Sequence, residues 1–172
     1  MLGWDSYRAV YGAELRAAAL EFADHGWPVL EASPIRLLLL TGRALDVLEV
    51  PAGTGRGVCG RLRRADVVVP VAATSTGSWW FPMSAGAELP PVLHGVRGVV
   101  LRGVGDAVLA PPSREPDGWV YWRVPPAISG YRVAAADLIL NAAAHEVLRG
   151  DHADDEHPGA QRPAGAVIVG TR

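Results

Sequence analysis

Residues 102–122 read RGVGDAVLAPPSREPDGWVYW. Two short apolar runs, Ala107–Ala110 and Trp119–Trp122, flank a loop punctuated by Pro111, Pro112, Pro116 and Gly118. Apolar runs separated by clustered turn residues predict a hairpin with a long tip. The paired prolines fix φ and lower the entropy cost of holding one shape. Ser113 and Arg114, carried on that tip, are therefore candidates for ligand contact.

The chain on either side supplies the elements for such a hairpin to join. From Ser6 to His25 the residues Val10, Ala13, Leu15, Ala17, Ala18, Leu20, Phe22 and Ala23 recur at helical spacing among charged positions, and Gly26 follows as a stop. Trp27–Leu30 begins a strand interrupted by Pro28. Ile35–Leu40 and Leu45–Val50 read as core strands turned by Thr41-Gly42-Arg43. Val67–Ala72 and Trp79–Met83 read as strands about a turn at residues 74–77, and Gly98–Leu101 as another. A short helix at Glu88–His94, opened by Pro90 and Pro91, leaves His94 on the surface. Val133–Arg149 predicts a second long helix that stops at Gly150. The class is α/β in the broad sense (α+β), with a mixed central sheet flanked by helices. One domain is expected over 1–150, followed by a disordered tail over 151–172. His152 and His157 beside Asp154, Asp155 and Glu156 could hold a metal weakly, but a charged, solvated tail is the plainer reading.

A chain of 172 residues can bury roughly 70% of its unfolded surface, enough for one real core. The formal net charge of -2 and pI near 6.2 argue against a protein that coats nucleic acid through bulk charge, while leaving room for a local basic patch. All 16 basic residues are arginine, as GC-rich coding favours, so Schiff-base and P-loop lysine chemistry is excluded. Any phosphate contact would be made by planar, bidentate donors. The single cysteine, Cys59, excludes an internal disulfide and any multi-cysteine zinc site, and points to a reducing cytoplasm. The longest aliphatic run, Leu37–Leu40, is far below the ~18 residues of a membrane span, and no secretory leader pattern opens the chain. A cytoplasmic protein without a membrane partner is expected.

Three features carry chemistry. Asp46 and Glu49 lie three apart on one strand and so point to opposite faces, whereas a pair of metal-binding carboxylates needs a spacing of two; the position two beyond Glu49 is Pro51. Gly55-x-Gly57-x-x-Gly60 matches a dinucleotide fingerprint. It lacks room for a full crossover helix and the acidic residue ~20 positions on, which leaves a glycine-weakened helix or loop with Arg56, Arg61, Arg63 and Arg64 as a solvated basic face. Adjacent Trp79 and Trp80 must face opposite ways, one into the core and one outward or to a site.

The order of motifs resembles the N-terminal domain of bifunctional DNA primase-polymerases, the prim-pol branch of the archaeo-eukaryotic primase superfamily. The resemblance runs through His25-Gly26-Trp27, Thr41-Gly42, Val47–Val50, TSTGSWWF, VVLRGVGDAVLAPPS and WVYW, most of the chain to Trp122. Its most specific piece is the family's strand aspartate, Ile-Arg-Gly, glycine turn and Ala-Pro-Pro-Ser. The resemblance implies two carboxylates at alternate strand positions, which fall at Glu49 and Pro51. It implies a nucleotide-contacting histidine, which falls at Trp79 or Trp80, and a third acidic residue, which falls at Val100. One carboxylate of three remains, too few for a two-metal clamp on a transferring phosphoryl group.

The leading expectation is thus a catalytically degenerate prim-pol-like domain that binds nucleotide or nucleic acid in DNA replication or a mobile element. Its binding residues would be Arg43, Trp79, Trp80, Arg102, Ser113 and Arg114, and its partners single-stranded DNA, a nucleotide or a replication protein. Structural roles stay open for each: Arg102 paired with Asp106 or Glu49, Ser113 capping the loop, the tryptophans in the core. An active primase or polymerase that recruits Asp46, Glu49 and Asp106 is the second reading, with Asp46 and Glu49 catalytic and Glu49 holding Mg or Mn; a bulge that brought Asp46 onto Glu49's face would restore a two-carboxylate site. The third is a protein-interaction module with no nucleic-acid role.

Overall fold

The computed structural model describes residues 4–155. In chain order it consists of α1 (Trp4–Asp24), β1 (Val29–Ser33), β2 (Arg36–Leu40), β3 (Asp46–Pro51), α2 (Ala52–Arg64), β4 (Val71–Ala73) and β5 (Ser78–Met83). A short 3-10 turn, Pro91–Leu93, leads to β6 (Val100–Arg102), β7 (Ala107–Ala110), β8 (Arg114–Glu115), β9 (Gly118–Trp119) and β10 (Tyr121–Val124). A second 3-10 turn, Pro126–Ser129, precedes α3 (Ala136–Asp155). The fold is α+β. No helix among the described residues is long and apolar enough to cross a membrane.

The central sheet has the order β10-β4-β5-β3-β6, and a second sheet the order β1-β2-β7. Both are antiparallel throughout; the parallel pairing given by the described residues is the isolated bridge between Met83 and Ala134. The expected mixture of directions is therefore confined to that bridge: short turns join β1 to β2 and β4 to β5, and the longer connections also return β5 and β6 to β3, β7 to β2 and β10 to β4 antiparallel.

Strand alternation divides the core in two. Leu48, Val50, Val71, Ala73, Trp79, Phe81 and Met83 face α2 and α3, meeting Val58 and Leu62 from the first and Ile139, Leu140, Ala142 and Ala143 from the second. Val47, Ala72 and Trp80 face the other way. There they join Leu37 and Leu39 of β2, Val108 and Ala110 of β7, and Leu15, Ala19 and Phe22 of α1, whose i, i+4, i+7 spacing forms one apolar stripe. The central sheet is covered on both sides.

The stretch 102–122 stitches these layers together, and it does so differently from the expected hairpin. Ala107–Ala110 and Trp119–Trp122 do not pair with each other. β7 lies along β2, with Leu37–Leu40 opposite Ala110–Ala107, and β10 lies along β4 at the far edge of the central sheet from β6. The physical reason is burial: Val108 and Ala110 gain a wholly apolar partner in Leu37 and Leu39, which the half-exposed β10 does not offer. The turn residues of the loop make only a two-residue ribbon, Arg114–Glu115 against Gly118–Trp119.

Other boundaries move as well, β1 for example to Val29–Ser33 and the start of α3 to Ala136. The predicted strand at Val67–Ala72 shortens to β4, and Glu88–His94 contracts to one 3-10 turn. α3 runs past the expected stop at Gly150 to Asp155; residues 156–172, with His157 and Glu156, lie outside the described residues. The segment 52–64, left between helix and loop, is helical throughout.

Candidate functional site

The sheet face that carries Glu49 is where the resemblance concentrates. On β3 the partner of Glu49 across β5 is Trp80 and across β6 is Val100, while Pro51 lies opposite Ser78. Directly opposed residues share a face, so the four positions at which the resemblance implies three carboxylates and a histidine converge on one patch. Of these only Glu49 brings an oxygen ligand. Its Oε2 accepts a hydrogen bond from Arg102 Nε at 2.9 Å and forms an ion pair with Arg102 Nη2 at 2.8 Å, so its charge is matched within the protein. Among the described residues no three His, Cys, Asp or Glu side chains are grouped to hold a metal.

Asp46 does not complete the patch. The β3–β5 register is continuous from Asp46–Met83 to Pro51–Ser78, so no bulge shifts it onto Glu49's face. Its buried carboxylate turns the other way and accepts from the backbone N–H groups of Gly86 at 2.8 Å and Ala87 at 3.0 Å, holding the loop after β5. Asp106 accepts from Gly103 N–H within its own turn, and pairs with neither Arg102 nor Glu49.

The aromatic positions fill this face rather than open it. Trp80 is fully buried, edge-on to Trp122 at 5.2 Å, within a cluster that includes Phe22, Trp27 and Tyr131. A base cannot stack on it. Ser113 is fully buried too: its Oγ accepts from Leu37 N–H at 2.8 Å and donates to Leu37 C=O at 3.0 Å, locking the loop to β2. The tip is likewise tied down, because Glu115 accepts from both the N–H and the hydroxyl of Ser75 at 2.7 Å. Arg114 is exposed with its guanidinium over Trp119, and Arg43 is exposed on a turn whose Thr41 donates to Gly103 C=O. Of the six expected ligand residues, then, Arg43 and Arg114 are open to solvent, Arg102 is engaged by Glu49, and Ser113 and Trp80 are structural.

The sixth, Trp79, leads to a different place. It faces α2 and is 7% exposed, with the Arg123 guanidinium 4.3 Å from its ring centroid. Around that pair a groove of about 590 Å³ opens between α2 and the edge strand β10, lined by Arg56, Cys59, Gly60, Arg63, Arg64, Trp79, Arg123 and Val124. Four of these are arginines and none is acidic. Among the described residues no carboxylate forms an ion pair with any of the four. Helix-end electrostatics account for part of the cluster, since cations in a last turn offset the partial negative charge there; Arg63 and Arg64 qualify. Arg56 lies about two turns before Arg63 and Arg123 lies on a strand, so the dipole explains neither. Burial pushes the Cys59 thiol above its ordinary pKa, against the downward pull of Arg123 and Arg63.

The glycine spacing of α2 belongs to this wall. A Cβ on Gly55 would lie 2.7 Å from the Trp79 ring, and one on Gly57 would meet the Glu146 carboxylate. These two glycines let α2 settle onto β5 and α3. Gly60, by contrast, has open space before it, the nearest atom being the flexible end of Arg64 at 3.9 Å, and leaves bare backbone on the groove. The G-x-G-x-x-G pattern is helix packing, not a phosphate loop: α2 begins directly at the end of β3, with its glycines inside the helix. The basic character of residues 56–64 was readable in the sequence, but Arg123, sixty residues on, carried no local signal that it would close the groove. No protein-family model, no curated protein and no solved structure matches the chain.

Proposed function

We propose that the chain is a primase-polymerase-like domain that has lost nucleotidyl transfer and works by holding nucleotide or nucleic acid, as a binding module in DNA replication or a mobile element. The observation that carries this reading is the groove of four arginines that no carboxylate neutralises among the described residues; Arg123 rests on Trp79 and donates only to the neutral Tyr121 hydroxyl, so the four planar cations keep their charge for a ligand. Phosphate oxygens fit them in charge and geometry. Support for the loss of transfer comes from Glu49, held by Arg102 and opposed across the sheet by Trp80 and Val100. Two metal ions on an attacking and a leaving oxygen need several carboxylates, and this face offers one.

The test is binding of a fluorescent single-stranded oligonucleotide to the full chain at low salt, repeated as salt rises. Binding that weakens steeply supports a phosphate-driven role. Absence of binding at low salt refutes it and leaves the protein-interaction role.

A further inference from the structure

The arginine groove does not end at Arg63. It adjoins a recess of about 140 Å³ lined by Leu62, Val67, Val68, Val69 and Val71, and the two share Cys59, Arg63 and Val124. The recess is apolar where the groove is cationic, and its volume is close to the ~150 Å³ of an apolar cavity that admits one benzene ring. A ligand that satisfies both carries anionic groups beside an exposed apolar face.

We propose that the recess takes one unpaired nucleobase of a single strand whose phosphates lie on Arg56, Arg63, Arg64 and Arg123. This rests on the nucleic-acid role proposed above and narrows it. A duplex is a poor fit, because its bases are stacked and paired and cannot enter a side recess without being extruded. An acidic peptide would satisfy the arginines and leave the valines uncovered, and a flat anionic surface would reach neither floor. Cys59, at the seam and alone of its kind in the chain, reports on occupancy by its rate of alkylation.

The experiment compares a short oligothymidine, an all-abasic strand of equal length, a duplex and polyglutamate. Each is titrated against the full chain at low and raised salt, with Val68→Gln in parallel. Val68 is 57% exposed, so the substitution tests the mouth of the recess without disturbing the core. The expected result is oligothymidine binding roughly tenfold tighter than the abasic strand, as removing one base face from water against aliphatic side chains contributes. Val68→Gln should remove that preference while leaving the salt dependence, and oligothymidine should slow alkylation of Cys59. Equal binding of base-containing and abasic strands with a steep salt dependence overturns the recess but spares the phosphate reading. Equal or tighter binding of duplex overturns it as well. Polyglutamate binding as tightly as the oligonucleotide overturns it in favour of an acidic protein partner. No binding by any probe at low salt removes the underlying nucleic-acid role itself.

Discussion

Replacing Arg63 and Arg123 together by glutamine should halve the salt dependence of oligonucleotide binding. Each phosphate neutralised on a single strand contributes about -0.7 to the slope of log K against log salt, so four arginines in the groove set a slope near -2.8. Raising salt from about 50 to 200 mM would then weaken the wild-type complex roughly 50-fold, and the double variant, with a slope near -1.4, only about sevenfold. Both side chains are exposed, so the fold should survive their loss. Removing Arg123 uncovers the face of Trp79, which tryptophan emission will register. Fluorescence anisotropy across a salt series reads the slopes directly. A variant slope equal to the wild-type one would refute the assignment of phosphates to this groove.

Other consequences follow from single side chains. Ser113→Ala removes the hydroxyl that both accepts from and donates to Leu37 in a fully buried site, and should lower stability by about 1–3 kcal/mol in urea unfolding. Tyr131 donates to Glu21, and partial burial together with that carboxylate raises its pKa. The unfolded chain loses this proton near pH 10 while the folded one keeps it, so the contribution is complete below about pH 10 and is lost as pH rises further. Tyr131→Phe should flatten that alkaline decline in a pH series of thermal unfolding. The raised pKa of Cys59 predicts slower alkylation by iodoacetamide at about pH 8 than for a free thiol. Inorganic polyphosphate should slow it further, by cancelling the pull of Arg63 and Arg123 on the thiolate.

The elements that periodicity marks were legible. α1 and α3 follow from apolar residues at helical spacing, and β2, β3 and β5 from continuous apolar runs bounded by turns. Period-two alternation alone separated Asp46 from Glu49, and the register bears that geometry out. What escaped is what depends on a distant partner. Proximity in the chain favours pairing β7 with β10, yet the leucines of β2 capture β7 because burial against Leu37 and Leu39 outweighs a short connection. Four glycines at 53, 55, 57 and 60 weaken α2 by about 1 kcal/mol each relative to alanine, which blurred helix and loop. Packing of Gly55 on Trp79 and Gly57 on Glu146 turns that weakness into close approach. The site escaped for the same reason: Arg56, Arg63 and Arg64 read as a solvated face until β10 brings Arg123 across from them.

Primer extension tests most directly whether this sheet face still performs chemistry. The folded chain is supplied with a primed single-stranded template, all four dNTPs and magnesium or manganese, and binding of the same template is followed in the same reaction. Template bound in a salt-sensitive way with no nucleotide added is the expected result. Incorporation that Glu49→Gln abolishes would contradict it, and would mean that Glu49 leaves Arg102 to build a metal site with groups that stand apart in this structure.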